Sequence, residues 1–249
     1  MMRITGIVIL VLSVGLASCE TDPVPEPATG DVKFVVKLMN DTQEVKLNDK
    51  ISLKKEYDLN LSLFKMYLTR IEATDKDGNI RTAKDVALVG LGNDNENSFT
   101  AQLPVGNYDQ FKMGFGVDAA QNNADHKSFP NSHPLATYQS MYWDMLKYRF
   151  VKMEGKADSR TGGPTNILVA YHTGTDPLYQ RKTFSESLNI SVDAVTEVVL
   201  QIDLNEILDG PAGSIDFATQ NQTHSDPSGL SIARVFMENL AASAEVEVK

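Results

Sequence analysis

The sequence predicts a mainly β protein, an immunoglobulin-like β-sandwich with a few short helices, one of them near the C-terminus. Short segments rich in β-branched and aromatic residues recur along the chain, and Gly, Pro, Asn and Asp residues separate them. Few stretches show helical spacing of apolar residues. Because no internal repeat or linker divides the chain after its N-terminal segment, residues 31–249 are predicted to form one domain.

The first strand candidate is residues 32–38, where apolar β-branched residues alternate imperfectly with polar ones. Residues 59–71 could be read as helix or strand, and strand is favoured because residues 75–79 (DKDGN) form a strong hairpin turn. The same turn resembles part of a calcium loop. It lacks the bidentate glutamate expected near the end of such a loop, so the turn interpretation is favoured.

The later strand candidates are residues 99–103, 108–117, 148–153, 165–171, 182–190 and 194–204. In the second of these, Phe111, Met113, Phe115 and Val117 fall on one face. Residues 182–190 lie near a polar run, which favours an edge strand. Two helices are predicted, at residues 138–146 and 230–242. Residues 225–228 (SDPS) offer N-cap and first-turn residues to the second helix.

The N-terminus has the features of a bacterial lipoprotein signal. Arg3 precedes an apolar run over residues 4–16, which is shorter than the roughly 20 residues that span a bilayer. Small residues then lead into Cys19. Lipoprotein processing needs this cysteine because its thiol takes the diacylglycerol, and several acyl chains hold a protein stably. Residues 1–18 are thus predicted to be a lipoprotein signal peptide; the alternative is an ordinary signal peptide followed by a chance cysteine.

Residues 19–30 are predicted to be the lipidated cysteine and a disordered tether rich in acidic residues and proline. The acidic residues after Cys19 resemble the signals that send some Bacteroidetes lipoproteins to the cell surface. The protein is therefore expected on the outer membrane through its lipid anchor, facing the periplasm or the cell exterior.

Composition excludes several kinds of chemistry. Cys19 is the sole cysteine, so the mature domain has no disulfide, thiolate ligand or cysteine nucleophile. The formal charge is −10, and loss of residues 1–18 removes Arg3 and no acid, giving −11. Such acidity argues against nucleic acid as a partner. The common hydrolase, metalloprotease, phosphate-binding and dinucleotide-binding motifs are absent, and no enzymatic activity is expected.

The four histidines are His126, His133, His172 and His224. Histidine is the commonest metal ligand, but none of these lies two or four residues from another. A metal site would therefore have to be assembled by the fold. Trp143, the one tryptophan, is by itself most simply a core or groove aromatic.

Several short motifs together resemble the MbnP-like family over residues 32–240. The signature is residues 141–143 (MYW) followed by residues 147–155 (KYRFVKMEG). Supporting motifs occur along the chain in the expected order. They are the Asp-Gly hairpin, residues 103–108 (LPVGNY), residues 114–118 (GFGVD), residues 133–135 (HPL), residues 171–174 (YHTG) and His224 before the last helix.

This resemblance implies a periplasmic or surface β-sandwich that handles copper beside methanobactin systems. It also implies a dihaem cytochrome c peroxidase-like partner that oxidises a tryptophan to kynurenine. By position, His172 and His224 are the favoured copper ligands, with His133 next. Trp143 is either the oxidised aromatic residue or a core anchor, and the core anchor is favoured. Glu154 is expected to be a hydrogen-bond acceptor rather than a ligand.

The sequence departs from the family pattern at two positions, and a second function remains open. Met145 stands where many relatives have another tryptophan, and Lys147 replaces a loop glycine. The alternative is a non-metal surface module that binds glycan or a partner protein through Tyr138, Tyr142 and Trp143. The two functions differ in geometry: copper ligation needs His172 and His224 close together, whereas glycan binding needs an exposed flat strip of aromatic rings.

Overall fold

The computed structural model describes residues 27–54, 57–92, 96–158 and 163–249. The predicted signal peptide, Cys19 and most of the tether lie outside these residues. In the described part of the chain, no helix has the length and apolar character needed to cross a membrane.

The described residues form eighteen strands and three α-helices. The strands are β1 (Thr29–Asn40), β2 (Gln43–Glu44), β3 (Lys50–Ser52), β4 (Asp58–Thr74), β5 (Ile80–Leu91), β6 (Ser98–Pro104), β7 (Gly106–Tyr108), β8 (Gln110–Phe115), β9 (Tyr142–Trp143), β10 (Lys147–Ala157), β11 (Ile167–Gly174), β12 (Gln180–Phe184), β13 (Leu188–Ile190), β14 (Thr196–Asp203), β15 (Asp209–Gly210), β16 (Gly213–Ser214), β17 (Gln222–Thr223) and β18 (Ala244–Val248). The helices are α1 (Ala119–Asn122), α2 (Leu204–Leu208) and α3 (Leu230–Ser243), and 3₁₀ turns occupy Thr137–Gln139 and Asp176–Leu178.

Two large sheets dominate the molecule and confirm the mainly β prediction. The five-stranded sheet has the order β18-β14-β1-β2, with β6 also paired to β1. The nine-stranded sheet has the order β12-β8-β4-β10-β11-β17, and β3, β5 and β9 attach to it. Phe34 of the first sheet meets Phe111 of the second edge to face, with ring centroids 6.3 Å apart. The core of the sandwich therefore lies between the sheets.

Strand β1 pairs in parallel with β14, a contact between distant parts of the chain that no local pattern indicates. This strand also begins at Thr29, two residues before the predicted start of the domain at residue 31. Gly30 is buried there against the backbone of Ser191. A Cβ at this position would overlap that backbone. The folded domain thus starts slightly earlier than its composition indicated.

The hairpin after β4 forms as predicted. The carboxylate of Asp75 accepts hydrogen bonds from the backbone N–H groups of Asp77 and Asn79, each at 2.9 Å. Gly78 adopts φ of 83°, a conformation that glycine takes without steric cost. The Asp75–Asn79 segment is therefore a closed turn stabilised by its own side chain, and β4 and β5 form a long antiparallel pair.

Two predicted strands are each divided in the structure. Residues 108–117 split into β7 and β8, and residues 182–190 split into β12 and β13. The short strands β7 and β13 pair with each other, whereas β8 and β12 pair in the nine-stranded sheet. Strand β12 lies at one end of the strand order of that sheet, which confirms the edge-strand prediction for this region.

The predicted helix over residues 138–146 is wrong. The segment forms a 3₁₀ turn and then the short strand β9, whose Trp143 pairs with Lys147 of β10. Ser140 and Lys147 have positive φ values of 62° and 63°, which no α-helix contains. The Arg149 side chain also donates to the carbonyl of Ser140 at 2.9 Å. Contacts with β10 thus override the weak helical spacing.

The predicted C-terminal helix is confirmed as α3, which begins at Leu230 as expected but has a different N-cap. Its N-cap is Gly229, which makes no side-chain capping bond. The preceding residues form a turn in which Asp226 Oδ1 accepts from the Gly229 N–H at 2.9 Å. Phe236 of α3 is fully buried and stacks on Tyr171 of β11, with centroids 5.1 Å apart. This packing fixes the inner face of the strand that carries His172.

Candidate metal centre

Strands β10, β11 and β17 bring His172 and His224 together at one end of the nine-stranded sheet. In β11, Tyr171 and Thr173 are buried and His172 between them is half-buried, because side chains alternate between the two faces. Strand β17 runs parallel to β11, and Tyr171 pairs with Thr223. In the same register the next residue along each strand is a histidine, so the two imidazoles stand side by side.

The two imidazole rings contact each other. Their centroids are 4.9 Å apart and their planes are inclined by 33°. Nδ1 of His224 is buried and has no hydrogen-bond partner. Most buried polar atoms in folded proteins have a partner, so this nitrogen is not committed to the polypeptide and is open to a ligand.

A carboxylate supports the His172 ring from the adjacent strand. His172 Nε2 lies 2.7 Å from Glu154 Oε1, and Lys152 Nζ lies 3.2 Å from the same oxygen. Burial alone raises the pKa of Glu154, but the hydrogen bonds from His172 and Lys152 outweigh it and the net pKa is lowered. Glu154 is therefore a carboxylate at neutral pH, and its Oε1 is already engaged by two donors.

The surroundings of His172 favour the neutral imidazole. Burial lowers the pKa of His172, and the nearby charge of Arg149 and the His224 ring act in the same direction. The hydrogen bond and charge of Glu154 oppose this shift without reversing it. A neutral imidazole has one nitrogen lone pair available for a metal ion.

Trp143 completes the cluster of rings. Its indole meets His224 edge to face, with centroids 5.7 Å apart and an interplanar angle of 84°. Trp143 is half-buried and lies outside the buried core, which does not fit the core-anchor alternative. Arg149 holds the strand that carries it, because its side chain also reaches the carbonyls of Met141 and Tyr142 at 3.4 and 3.5 Å.

The backbone around His224 is held by buried hydroxyl groups. Thr223 Oγ1 donates to the carbonyl of Gly229 at 2.8 Å. Ser225, at φ of 60°, accepts from the Gly174 N–H through its Oγ at 3.0 Å. These bonds tie the segment on both sides of His224 to α3 and to the end of β11.

The other two histidines lie in the loop that precedes β9. His126 stacks on Tyr142 with centroids 3.8 Å apart, and His133 stacks on Phe129 at 4.3 Å. His133 Nδ1 also accepts from the Leu135 N–H at 3.1 Å. Among the described residues, no hydrogen bond or ring contact joins either histidine to His172 or His224. The prediction of His133 as a further ligand thus has no geometric support and stays a prediction.

The donors at the site are imidazole nitrogens, a type that copper accepts. Two imidazoles lie in contact, and one of them has a buried nitrogen without a partner. Within the described ranges, no group of three or more His, Cys, Asp or Glu side chains is arranged to hold a metal. Among these residues the candidate site thus consists of two imidazoles, with the indole of Trp143 beside them.

The sequence singled out the two histidines, the tryptophan and Glu154 as a hydrogen-bond acceptor, but it identified neither the donor to Glu154 nor the supporting residues Arg149 and Ser225. Arg149 and Ser225 act through backbone contacts, and no motif announces such contacts. Glu154 lies two residues beyond Lys152, which pairs with His172 across the strands. Only the register of β10 against β11 reveals that the Glu154 carboxylate reaches the His172 ring.

Comparisons with known proteins agree with this fold. The sequence profile of the MbnP family matches residues 29–226. The structure of MbnP from Methylosinus trichosporium superposes with a TM-score of 0.60 at 14% sequence identity, covering 89% of this chain and 99% of that chain. At this identity the superposition shows a shared fold. A search of curated protein sequences gave no match.

Proposed function

This chain belongs to the MbnP family, and we propose that it is a lipid-anchored extracytoplasmic protein that binds copper through His172 and His224. One observation carries the proposal: the two imidazoles lie 4.9 Å apart and Nδ1 of His224 is buried without a partner. A metal ion bound by that nitrogen would remove the free-energy cost of leaving it buried and unpaired.

The chemistry of the site favours copper over harder cations. Imidazole nitrogen suits copper, whereas magnesium and calcium prefer several oxygen ligands. Oε1 of the Glu154 carboxylate beside His172 is already engaged by His172 and Lys152. Copper bound at this site would be a redox-active ion that prefers nitrogen ligands. The protein's residues orient the two rings and shield them, and His172 retains only 13% side-chain exposure.

Copper titration of the tag-free mature chain tests this proposal. Wild-type protein is expected to take up Cu(I) in competition with a chromophoric chelator, with a parallel titration for Cu(II). The His172→Ala/His224→Ala double variant is expected to bind neither. The matched control is His126→Ala/His133→Ala, which also removes two histidines and should titrate like wild type. Equal copper binding by wild type and the His172→Ala/His224→Ala variant would end the copper proposal.

The lipid anchor is a separable part of the proposal and rests on Cys19 with the apolar segment before it. In cells, wild-type protein is expected in the membrane fraction, and the Cys19→Ser variant should lack lipid. If both forms sediment equally with membranes and incorporate no labelled fatty acid, the anchor assignment is wrong while the copper site stands.

We also propose Trp143 as a site of oxidation by a dihaem peroxidase-like partner, in keeping with the family resemblance. Its support here is the edge contact between Trp143 and His224. In this reaction the indole would take up two oxygen atoms as two equivalents of peroxide are reduced to water, and hydrolysis of the resulting N-formylkynurenine would release formate, so that kynurenine has one more oxygen and one fewer carbon than tryptophan. Mass spectrometry should find added oxygen on the Trp143 peptide from native cells and an unmodified peptide from a host without such a partner. An unmodified peptide from native cells would remove this part.

The glycan-binding alternative gains little from the aromatic residues. Tyr142 is covered by His126 on one side and meets Tyr148 edge to face, so it is not part of a flat exposed strip. Trp143 is half-buried against His224, and of the three rings only Tyr138 is well exposed, at 77%. The closeness of His172 and His224 favours the metal site instead.

A further inference from the structure

The contact between Glu154 and His172 determines more than the position of the imidazole ring. A neutral imidazole carries one proton on one of its two nitrogens, and the other nitrogen holds the lone pair. His172 Nε2 lies 2.7 Å from Glu154 Oε1, and a carboxylate can only accept a hydrogen bond. The short contact therefore requires the His172 proton to be on Nε2.

This proton placement leaves one nitrogen of His172 for a metal. With Nε2 donating to Glu154, the lone pair is on Nδ1, and no hydrogen bond among the described residues uses that atom. The unpartnered nitrogen of His224 is likewise Nδ1. In both imidazoles, therefore, Nδ1, the ring nitrogen nearer the backbone, has no hydrogen-bond partner among the described residues.

We propose that Glu154 is a positioning residue that fixes His172 as the Nε2–H tautomer, so that the Nδ1 atoms of His172 and His224 are the two metal-binding nitrogens. The inference rests on the proposed copper function for the identity of the metal. A ligating histidine commonly donates its other N–H to a carboxylate in this way, which fixes the ring and makes the free nitrogen a better donor.

The surroundings of Glu154 suit a positioning role better than direct ligation. Its Oε1 accepts from both His172 and Lys152, so binding a metal through that atom would break two hydrogen bonds. Lys152 pairs directly opposite His172 on the neighbouring strand, and Glu154 lies diagonal to it on the same face. Two adjacent strands therefore hold the carboxylate, and their register sets its distance to the ring.

Nitrogen NMR of the copper-free mature chain tests the tautomer directly. Long-range ¹H–¹⁵N correlation spectra distinguish protonated from unprotonated ring nitrogens at neutral pH. We expect wild-type His172 to show a protonated Nε2 and an unprotonated Nδ1. In Glu154→Leu the pattern should move toward a mixture of tautomers, and copper affinity should fall by about 10- to 100-fold. Glu154→Gln keeps an acceptor oxygen and should lose less affinity.

Lys152→Met is the matched control, because it removes the other donor to Glu154 and leaves both the Glu154 carboxylate and the His172 ring in place. Its His172 tautomer should match wild type, and thermal unfolding of all copper-free variants should show that they fold. A His172 with the proton on Nδ1, or a Glu154→Leu variant with unchanged tautomer and unchanged copper affinity, overturns this inference while leaving the copper site intact. Wild-type protein that binds no copper overturns the proposed function and the metal-binding part of this inference.

Discussion

The molecule contains two pairs of histidines with nearby aromatic rings, and the fold treats them differently. His172 and His224 lie on neighbouring strands with their rings in contact and Trp143 at the edge of one of them. His126 and His133 lie in one loop, where each imidazole stacks face to face on its own aromatic ring. The residue types are the same in the two regions, but the contacts of the nitrogen atoms are not.

The difference shows that the accessibility of the nitrogen lone pair distinguishes a candidate ligand from a structural histidine. In the loop, His133 Nδ1 already accepts a backbone hydrogen bond from Leu135. In the strand pair, Nδ1 of His224 is buried without a partner, and Glu154 engages the far nitrogen of His172. Substitutions in the two regions should therefore differ strongly in their effect on copper binding and less in their effect on stability.

Removing one imidazole from each region should give the largest difference in copper affinity between the two regions. His224→Ala should weaken copper binding by more than about 100-fold, since loss of a ligand exceeds the loss of an outer-shell partner. His133→Ala should change the affinity by less than about twofold, because its nitrogen is committed to Leu135. Competition titration of both variants measures this. Similar losses in the two would show that His133 is a ligand and that the contrast is wrong.

Loosening the strand that carries Trp143 should have the second-largest effect on the site formed by His172 and His224. Arg149→Ala removes the side-chain hydrogen bonds to the carbonyls of Ser140, Met141 and Tyr142. We expect a loss of about 1–3 kcal/mol in the free energy of unfolding and a fall in copper affinity of about tenfold.

Arg181→Ala is the control for Arg149→Ala. The Arg181 side chain pairs with Glu72 on a partly exposed part of the sheet, where an ion pair contributes about 0–1 kcal/mol. Its copper affinity should equal that of wild type. If Arg149→Ala behaves in the same way as Arg181→Ala, the β9 segment does not depend on Arg149 and Trp143 is held by other contacts.

A buried hydroxyl group next to His224 provides a smaller test. Ser225→Ala deprives the buried Gly174 N–H of its acceptor, so the free energy of unfolding should fall by about 1–3 kcal/mol. Copper affinity should drop only a fewfold, because both imidazoles remain. Ser228→Ala removes an exposed hydroxyl bonded to Asp226 and should change stability by less than about 0.5 kcal/mol. Chemical denaturation that ranks the two variants in the opposite order would contradict this account.

The contribution of His133, in the loop, should be detected most clearly in the pH dependence of stability. Burial lowers the pKa of His133 from its ordinary value of 6.5, with Asp85 opposing the shift. Because the folded-state pKa lies below the unfolded one, the unfolded chain binds more protons as the pH falls. The stabilisation is therefore present above the unfolded pKa and is lost as the pH falls through the folded pKa. Between pH 7 and pH 5 the unfolding temperature of His133→Gln should fall less than that of wild type. An equal fall in both would show that His133 does not contribute.

Much of the fold could be predicted from local patterns. Alternating residues 32–38 lie within β1, the Asp75–Asn79 turn closes the β4–β5 hairpin, and the apolar spacing of residues 230–242 forms α3. Each of these depends on interactions within a few residues, so the sequence contains the information. The helix predicted at residues 138–146 was wrong because the conformation of that segment is set by pairing with β10 and by Arg149.

From the sequence alone it follows that residues 20–249 offer no thiolate ligand, that any imidazole ligand must be one of four histidines, and that the family resemblance favours His172 and His224. Only the tertiary structure decided that these two rings lie in contact, because they meet through the parallel pairing of β11 with β17. It also decided which nitrogen of His172 is free, through the register of β10 that brings Glu154 to the ring. Strand register depends on side-chain packing between residues far apart in the chain, and no local pattern records it.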